Sequence, residues 1–397
     1  MLGKADEVGI GRDDVGRARA AGEGYVRHTP VLTTRSLSER CGGEIVLKAE
    51  NLQRTGSFKL RGALNKIASL DAAALANGVV AASAGNHAQA VAVAARSRGA
   101  RAELVMPATA PIAKVEAVRA YGGRVRFVEG VYDDAATAAN ALVESEGLTL
   151  IPPFDDEMVI AGQGTVGLEI AAEVPDAALV VVPIGGGGLA AGVALAIKAH
   201  LPRARVVGVE SDARTRGTIC DGIAVKRPGE LTGPLLERLL DDVVKVADDE
   251  VAEAMVLLLE RSKQVVEGAG AASVAALLAG KVDPPSDGPA CAILSGGNVD
   301  ATRLVECIRL GETAAGRRLV FSTVLPDRPG SLATLLAAVA EMRANVLDVS
   351  HIREGMDLHV RETAIRLVLQ TDGPEHGDEI LAAVRERGFE AKPEETP

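Results

Sequence analysis

Lys48-Ala49-Glu50-Asn51-Leu52-Gln53-Arg54-Thr55-Gly56-Ser57-Phe58-Lys59-Leu60-Arg61-Gly62-Ala63 is the stretch from which the fold of this 397-residue chain is read. The polar, turn-rich run 53–57 predicts a loop, with Ser57 as N-cap of a helix over 60–70 whose Leu64, Ile67 and Leu70 share one stripe. Lys59 then falls in the first helical turn. The helix dipole disfavours a cation there, so a neutral or covalently bound amine is easier to accept than an ammonium. Taken alone, the stretch reads first as a solvated helix lysine.

Outward from Lys59 the pattern repeats. Residues 13–27 predict a helix that ends before His28-Thr29-Pro30, and Ile45-Val46-Leu47-Lys48 a strand entering the lysine loop. Strands at 78–82, 102–106 and 125–128 alternate with helices to about 98, over 111–121 and over 133–146. A second series follows: helix 165–173, strand 178–184, helix 189–200, strand 205–210, helices 249–264 and 271–279, strand 290–294. Alternation of this kind is the signature of parallel sheets covered by helices. Residues 311–318 are small and polar and read as a linker. Beyond them strand 319–325, helix 331–342, strands 345–353 and 360–371, helix 378–387 and strand 389–392 give the order βαββαβ, a ferredoxin-like unit.

Composition narrows the class. The net charge of -11 argues against nucleic-acid or anionic-membrane binding, because neutralising phosphates takes a basic face. Four cysteines without a C-x-x-C pair suggest buried thiols in a reducing compartment, and no metal-ligand cluster stands out. The acidic N-terminal stretch lacks signal-peptide character and no apolar run is long enough to span a bilayer, so the chain is expected in the cytoplasm.

Three further turns carry chemistry. Gly185-Gly186-Gly187-Gly188 sits between an apolar strand and a helix, where backbone can approach an anion and free N–H groups receive it; phosphate is the natural guest. Gly162-Gln163-Gly164-Thr165-Val166-Gly167 fits G-x-G-x-x-G but follows an acidic loop instead of a strand, and Glu210 beyond the glycine run could hold a ribose. Dinucleotide binding is therefore the weaker reading. Ser83-Ala84-Gly85-Asn86-His87 and Ser295-Gly296-Gly297-Asn298 also end strands, the edge where open α/β sheets bind ligands. An amine, an anion cradle, a polar turn and a terminal serine are together what pyridoxal phosphate needs.

The runs Gly56–Ala63, Ser83–Gln89 and Gly185–Leu189 resemble, in order, the serine/threonine dehydratases of the tryptophan-synthase-β-like pyridoxal phosphate enzymes, over nearly the whole chain. The resemblance implies fold type II, with two parallel-sheet subdomains in residues 1–312, the smaller at about 49–150, a linker at 313–318, and a regulatory ACT domain at 319–397 that could bind an amino-acid effector or serve dimerisation. It implies threonine ammonia-lyase chemistry: Lys59 is the Schiff-base lysine and α-proton base, beside Phe58. Asn86 meets the ring hydroxyl, Gly185, Gly186, Gly187, Gly188 and Leu189 the phosphate, and Ser295 the ring nitrogen. Ser83, Gly85, Asn86 and His87 would hold the amino-acid substrate. Serine racemases carry a serine where this chain has Ala84, which favours elimination. A serine-preferring lyase or racemase, or a catalytically weak amino-acid sensor, are the rivals, and a homodimer or homotetramer is expected. Relatives carry a longer segment than Ser211–Cys220, which puts any cation site near Glu210 in question.

Overall fold

The structure, a computed structural model, describes residues 9–212, 217–225, 227–353 and 358–394, so the short 211–220 segment lies partly outside the described residues. The chain divides into two compact units, Met1–Leu304 and Val305–Pro397.

The first unit opens with α1 (Arg12–Ala21), β1 (Val31–Thr33), α2 (Arg35–Cys41) and β2 (Ile45–Lys48). The helix expected over 13–27 stops at Ala21, because Gly22-Glu23-Gly24 follows and Gly24 takes φ +77°, which no α-helix contains. Then come α3 (Lys59–Ala68), α4 (Ala72–Asn77), β3 (Val79–Ala82), α5 (Asn86–Ser97), β4 (Ala102–Pro107), α6 (Ile112–Ala120), β5 (Arg124–Val128), α7 (Tyr132–Glu146) and β6 (Thr149–Leu150). Strands β3 to β6 form an all-parallel sheet in the order β5-β4-β3-β6.

The chain continues through α8 (Glu157–Glu173), β7 (Leu179–Pro183), α9 (Gly188–His200), β8 (Arg205–Ser211), α10 (Thr232–Leu239), β9 (Asp242–Val246), α11 (Asp248–Leu257), α12 (Gly268–Leu278) and β10 (Ala290–Ile293). The second sheet runs β1-β2-β10-β7-β8-β9, parallel except for the β1–β2 pair. Every residue of β2, β3, β7 and β10 is buried, which is why these strands read as unbroken apolar runs instead of alternating. The edge strand β9 and the helix before it do not stand out in the sequence, since Asp242 and Lys245 are exposed and break the run. Helix 249–264 is corrected as well: the α-helix ends at Leu257, a π-helical turn spans Leu258–Ser262, and Lys263 at φ +56° stops it.

The G-x-G-x-x-G run lies inside α8 and not in a strand-to-helix loop. Its glycines let helices meet backbone to backbone: a Cβ on Gly162 would come within 2.6 Å of Gly62 Cα, and one on Gly164 within 2.8 Å of the Gly192 carbonyl oxygen. Across α3 and α8 runs a buried ionic network. Arg61 donates to Glu50 (2.8 Å) and Glu169 (2.7 Å), and Lys48 reaches Glu169 and Glu173 at 2.8 Å each. His28 joins Glu169 and Glu173 in a grouping that could suit a metal, but the Lys48 ammonium already faces both carboxylates.

Helix α13 (Ala301–Ala314) begins in the first unit and runs into the second, which continues with β11 (Arg318–Pro326), α14 (Ser331–Glu341), β12 (Asn345–Ile352), β13 (Glu362–Gln370), α15 (Pro374–Glu386) and β14 (Lys392–Pro393). Residues 311–314, read as the start of a linker, are helical, and the chain turns only at Gly316, φ +67°. The βαββαβ order closes into an antiparallel sheet, β12-β13-β11-β14. Phe321, Leu325, Ile365, Leu367 and Leu369 from the sheet pack on Leu335, Val339, Ile380 and Val384 from its helices.

Candidate active site

Four strands of the first unit end at the predicted turns: β2 before the Lys59 loop, β3 before Ser83, β7 before Gly185 and β10 before Ser295. Parallel strands present their carboxyl ends on one edge of a sheet, so separate stretches of sequence converge there. One cavity is lined by Phe58, Lys59, Asn86, Gly185, Gly186, Gly187, Gly188, Leu189 and Ser295. Phe154, Pro183, Gly222, Ile223, Glu267 and Ala269 complete it. Ser83, Gly85 and His87 are not among its lining residues.

Lys59 is the first residue of α3, but the cap is Phe58. Ser57 is not the N-cap: it is buried in an antiparallel bridge to Gly296, and its Oγ has no hydrogen-bond partner among the described residues. That bridge, with the Phe58 N–H donating to the Ser295 carbonyl at 3.1 Å, ties the lysine turn to the loop after β10. Lys59 Nζ donates to the Pro153 carbonyl at 2.7 Å and lies 5.2 Å from the centre of the Phe58 ring. Burial pulls the Lys59 ammonium down from 10.5 to about 8, with the nearby Glu267 carboxylate opposing.

Asn86 begins α5. Its Nδ2 donates to Glu267 Oε1 at 2.7 Å and its Oδ1 accepts from Asn298 Nδ2 at 2.6 Å, so the amide is fixed in orientation. Burial, reinforced by Asp221, raises Glu267 from 4.5 to about 7, against the Asn86 hydrogen bond and the charges of Lys114 and Lys59. His87 is buried one residue on, its Nε2–H donating to the Ile151 carbonyl at 2.8 Å; burial and the Lys59 charge lower it to about 3 and keep it neutral. Ser83 Oγ accepts the Gly85 N–H at 3.1 Å, and a Cβ on Gly85 would meet open space.

The glycine loop carries no room for side chains. A Cβ on Gly186 would enter the Phe154 ring, one on Gly188 would lie 3.0 Å from the Phe154 carbonyl oxygen, and one on Gly187, at φ +92°, 2.8 Å from Thr232 Cβ. Backbone at the start of α9 therefore faces the cavity bare, with first-turn N–H groups that have no intrahelical acceptor. Such a nest suits a phosphate, and a lowered lysine amine and a buried neutral Ser295 share its cavity. The residues present thus fit pyridoxal phosphate. Sequence reasoning missed Glu267, Phe154 and the role of Asn298, which reach the site only through tertiary contacts; the acidic residue in an otherwise apolar, glycine-rich run (Glu267-Gly268-Ala269-Gly270) was the available signal.

Residues 23–296 match the family model described as pyridoxal-phosphate dependent enzyme. The chain is 43% identical over 396 residues to an L-threonine ammonia-lyase of Thermotoga maritima, covering 96% of this chain and 98% of that one. Among solved structures, maize serine racemase superposes with TM-score 0.72 at 36% identity, covering 75% of this chain and 96% of the racemase. The processed form of threonine deaminase isoform 2 from Solanum lycopersicum superposes with TM-score 0.70 at 35% identity, covering 76% of this chain and 95% of the deaminase. No helix among the described residues is long and apolar enough to cross a membrane. A lysine amine and a phosphate nest on one cavity, in a chain that matches this model over most of its length, make the protein a member of the pyridoxal-phosphate dependent enzyme family of fold type II.

Proposed function

We propose that the chain removes water from L-threonine, and from L-serine, to give 2-oxobutanoate or pyruvate and ammonia. One observation carries the reading: Lys59 and the Gly185–Gly188 nest line the same cavity. When bound, pyridoxal phosphate supplies the carbonyl that captures the substrate amine and the ring that draws electrons from its α-carbon. The nest N–H groups hold the phosphate. With its amine at about 8, Lys59 offers a neutral fraction near neutral pH and acts as the base for the substrate α-proton. Asn86, with one Nδ2 hydrogen committed to Glu267, would have the other to offer the ring hydroxyl. Ser295 would offer the ring nitrogen a neutral hydroxyl, which does not force a proton onto it as a carboxylate would. The backbone around Ser83 and Gly85 receives the substrate carboxylate, and His87 supports that turn from behind through Ile151.

The likeness to a serine racemase is answered at Ala84, whose methyl group has no proton to return to the opposite face of the α-carbon. The C-terminal unit acts as an ACT-type module that binds an amino-acid effector, a reading supported by its βαββαβ sheet. Work in the cytoplasm agrees with four cysteines that form no disulfide, and the assembly proposed is a homodimer or homotetramer. Steady-state assays with threonine and serine, following 2-oxo acid and D-serine with and without isoleucine, test the proposal. Turnover of L-threonine by the cofactor-loaded enzyme is the expected result; D-serine without 2-oxo acid would overturn it.

A further inference from the structure

One short loop touches both ends of the cofactor site. The Pro153 carbonyl receives the Lys59 amine, the Phe154 ring packs under Gly186, and Asp155 reaches the start of α10. There Asp155 Oδ1 accepts the N–H groups of Leu231 (3.0 Å) and Thr232 (3.1 Å), and Oδ2 that of Glu230 (2.9 Å). A carboxylate on three N–H groups at a helix start is a strong cap, favoured by the helix dipole. The cap fixes Thr232, which is fully buried. Thr232 Oγ1 accepts from the Gly229 N–H at 2.8 Å and spends its one proton on the Gly186 carbonyl at 2.7 Å.

A carbonyl turned into a phosphate nest would repel the anion, so a nest works only when its carbonyls are held away. We propose that Asp155 and Thr232 are positioning residues for the cofactor phosphate. Asp155 anchors α10, and Thr232 pins the Gly186 carbonyl away from the anion, so that the neighbouring N–H groups point into the cavity. Phe154 and Pro153, on the same loop, set this nest at a fixed reach from the Lys59 amine. The inference rests on the pyridoxal phosphate reading of the site and adds to it two residues that do not line the cavity.

The test compares pyridoxal phosphate with pyridoxal, which lacks the phosphate, as ligands of the full chain stripped of cofactor, titrated by absorbance. In Thr232→Val and Asp155→Ala the dissociation constant for pyridoxal phosphate rises about tenfold or more, the loss of a hydrogen bond serving a charged ligand. Pyridoxal affinity stays within about twofold, and Thr232→Ser, which keeps the hydroxyl, restores the phosphate ligand. Equal weakening of both ligands, or none for pyridoxal phosphate in Thr232→Val, overturns the proposal. Wild-type chain that takes up neither ligand would instead sink the cofactor reading on which it rests.

Discussion

Lys59 is where sequence, environment and chemistry meet. Burial beside Glu267 leaves its amine near 8, so capture of cofactor by the stripped enzyme should rise with pH to a midpoint near 8 instead of near 10.5, followed by stopped-flow absorbance. Lys59→Ala should lower threonine turnover by at least about a thousandfold, because the proposed anchor and the proposed base are one side chain. Glu267 makes an opposite pH statement. Its carboxyl titrates near 7 folded against 4.5 in the unfolded chain, so the folded state binds the extra proton between those values and loses stability as pH rises through them. Melting temperatures of the cofactor-free chain between pH 4.5 and 7 should therefore fall less in Glu267→Gln than in wild type.

Among the elements, the helix starts matter most. The glycine run before α9 could be read as an anion nest because strand, glycines and helix are contiguous; that Gly186 needs its bareness against Phe154, far back in the chain, could not. Gly186→Ala should cost about 1–3 kcal/mol of stability through overpacking and weaken pyridoxal phosphate binding, measured by denaturant unfolding and cofactor titration. Ser57 misled as a cap because its side chain type suits an N-terminus, whereas the bridge to Gly296 claims its backbone. Behind α3, the Arg61–Glu50 pair is buried on both sides, so Glu50→Ala removes one of the two carboxylates on the guanidinium, leaving Glu169, and should destabilise the chain by about 1–3 kcal/mol in urea unfolding.

At the scale of the molecule, alternating strands and helices made the parallel sheets legible, as did the βαββαβ order of the C-terminal unit. What stayed hidden were β9, an edge strand broken by exposed charges, and Glu267, Asn298 and Asp155, whose partners lie far off in sequence. The proposed division of labour predicts that a chain lacking residues 319–397 keeps threonine turnover and loses any response to isoleucine, read from saturation curves with and without it. The most direct measurement is mass spectrometry of peptides from borohydride-treated enzyme taken from a preparation that turns over threonine. The reduced cofactor should be found on Lys59, with turnover lost in step with its incorporation; a label on another lysine, or full activity after complete reduction, would contradict the account.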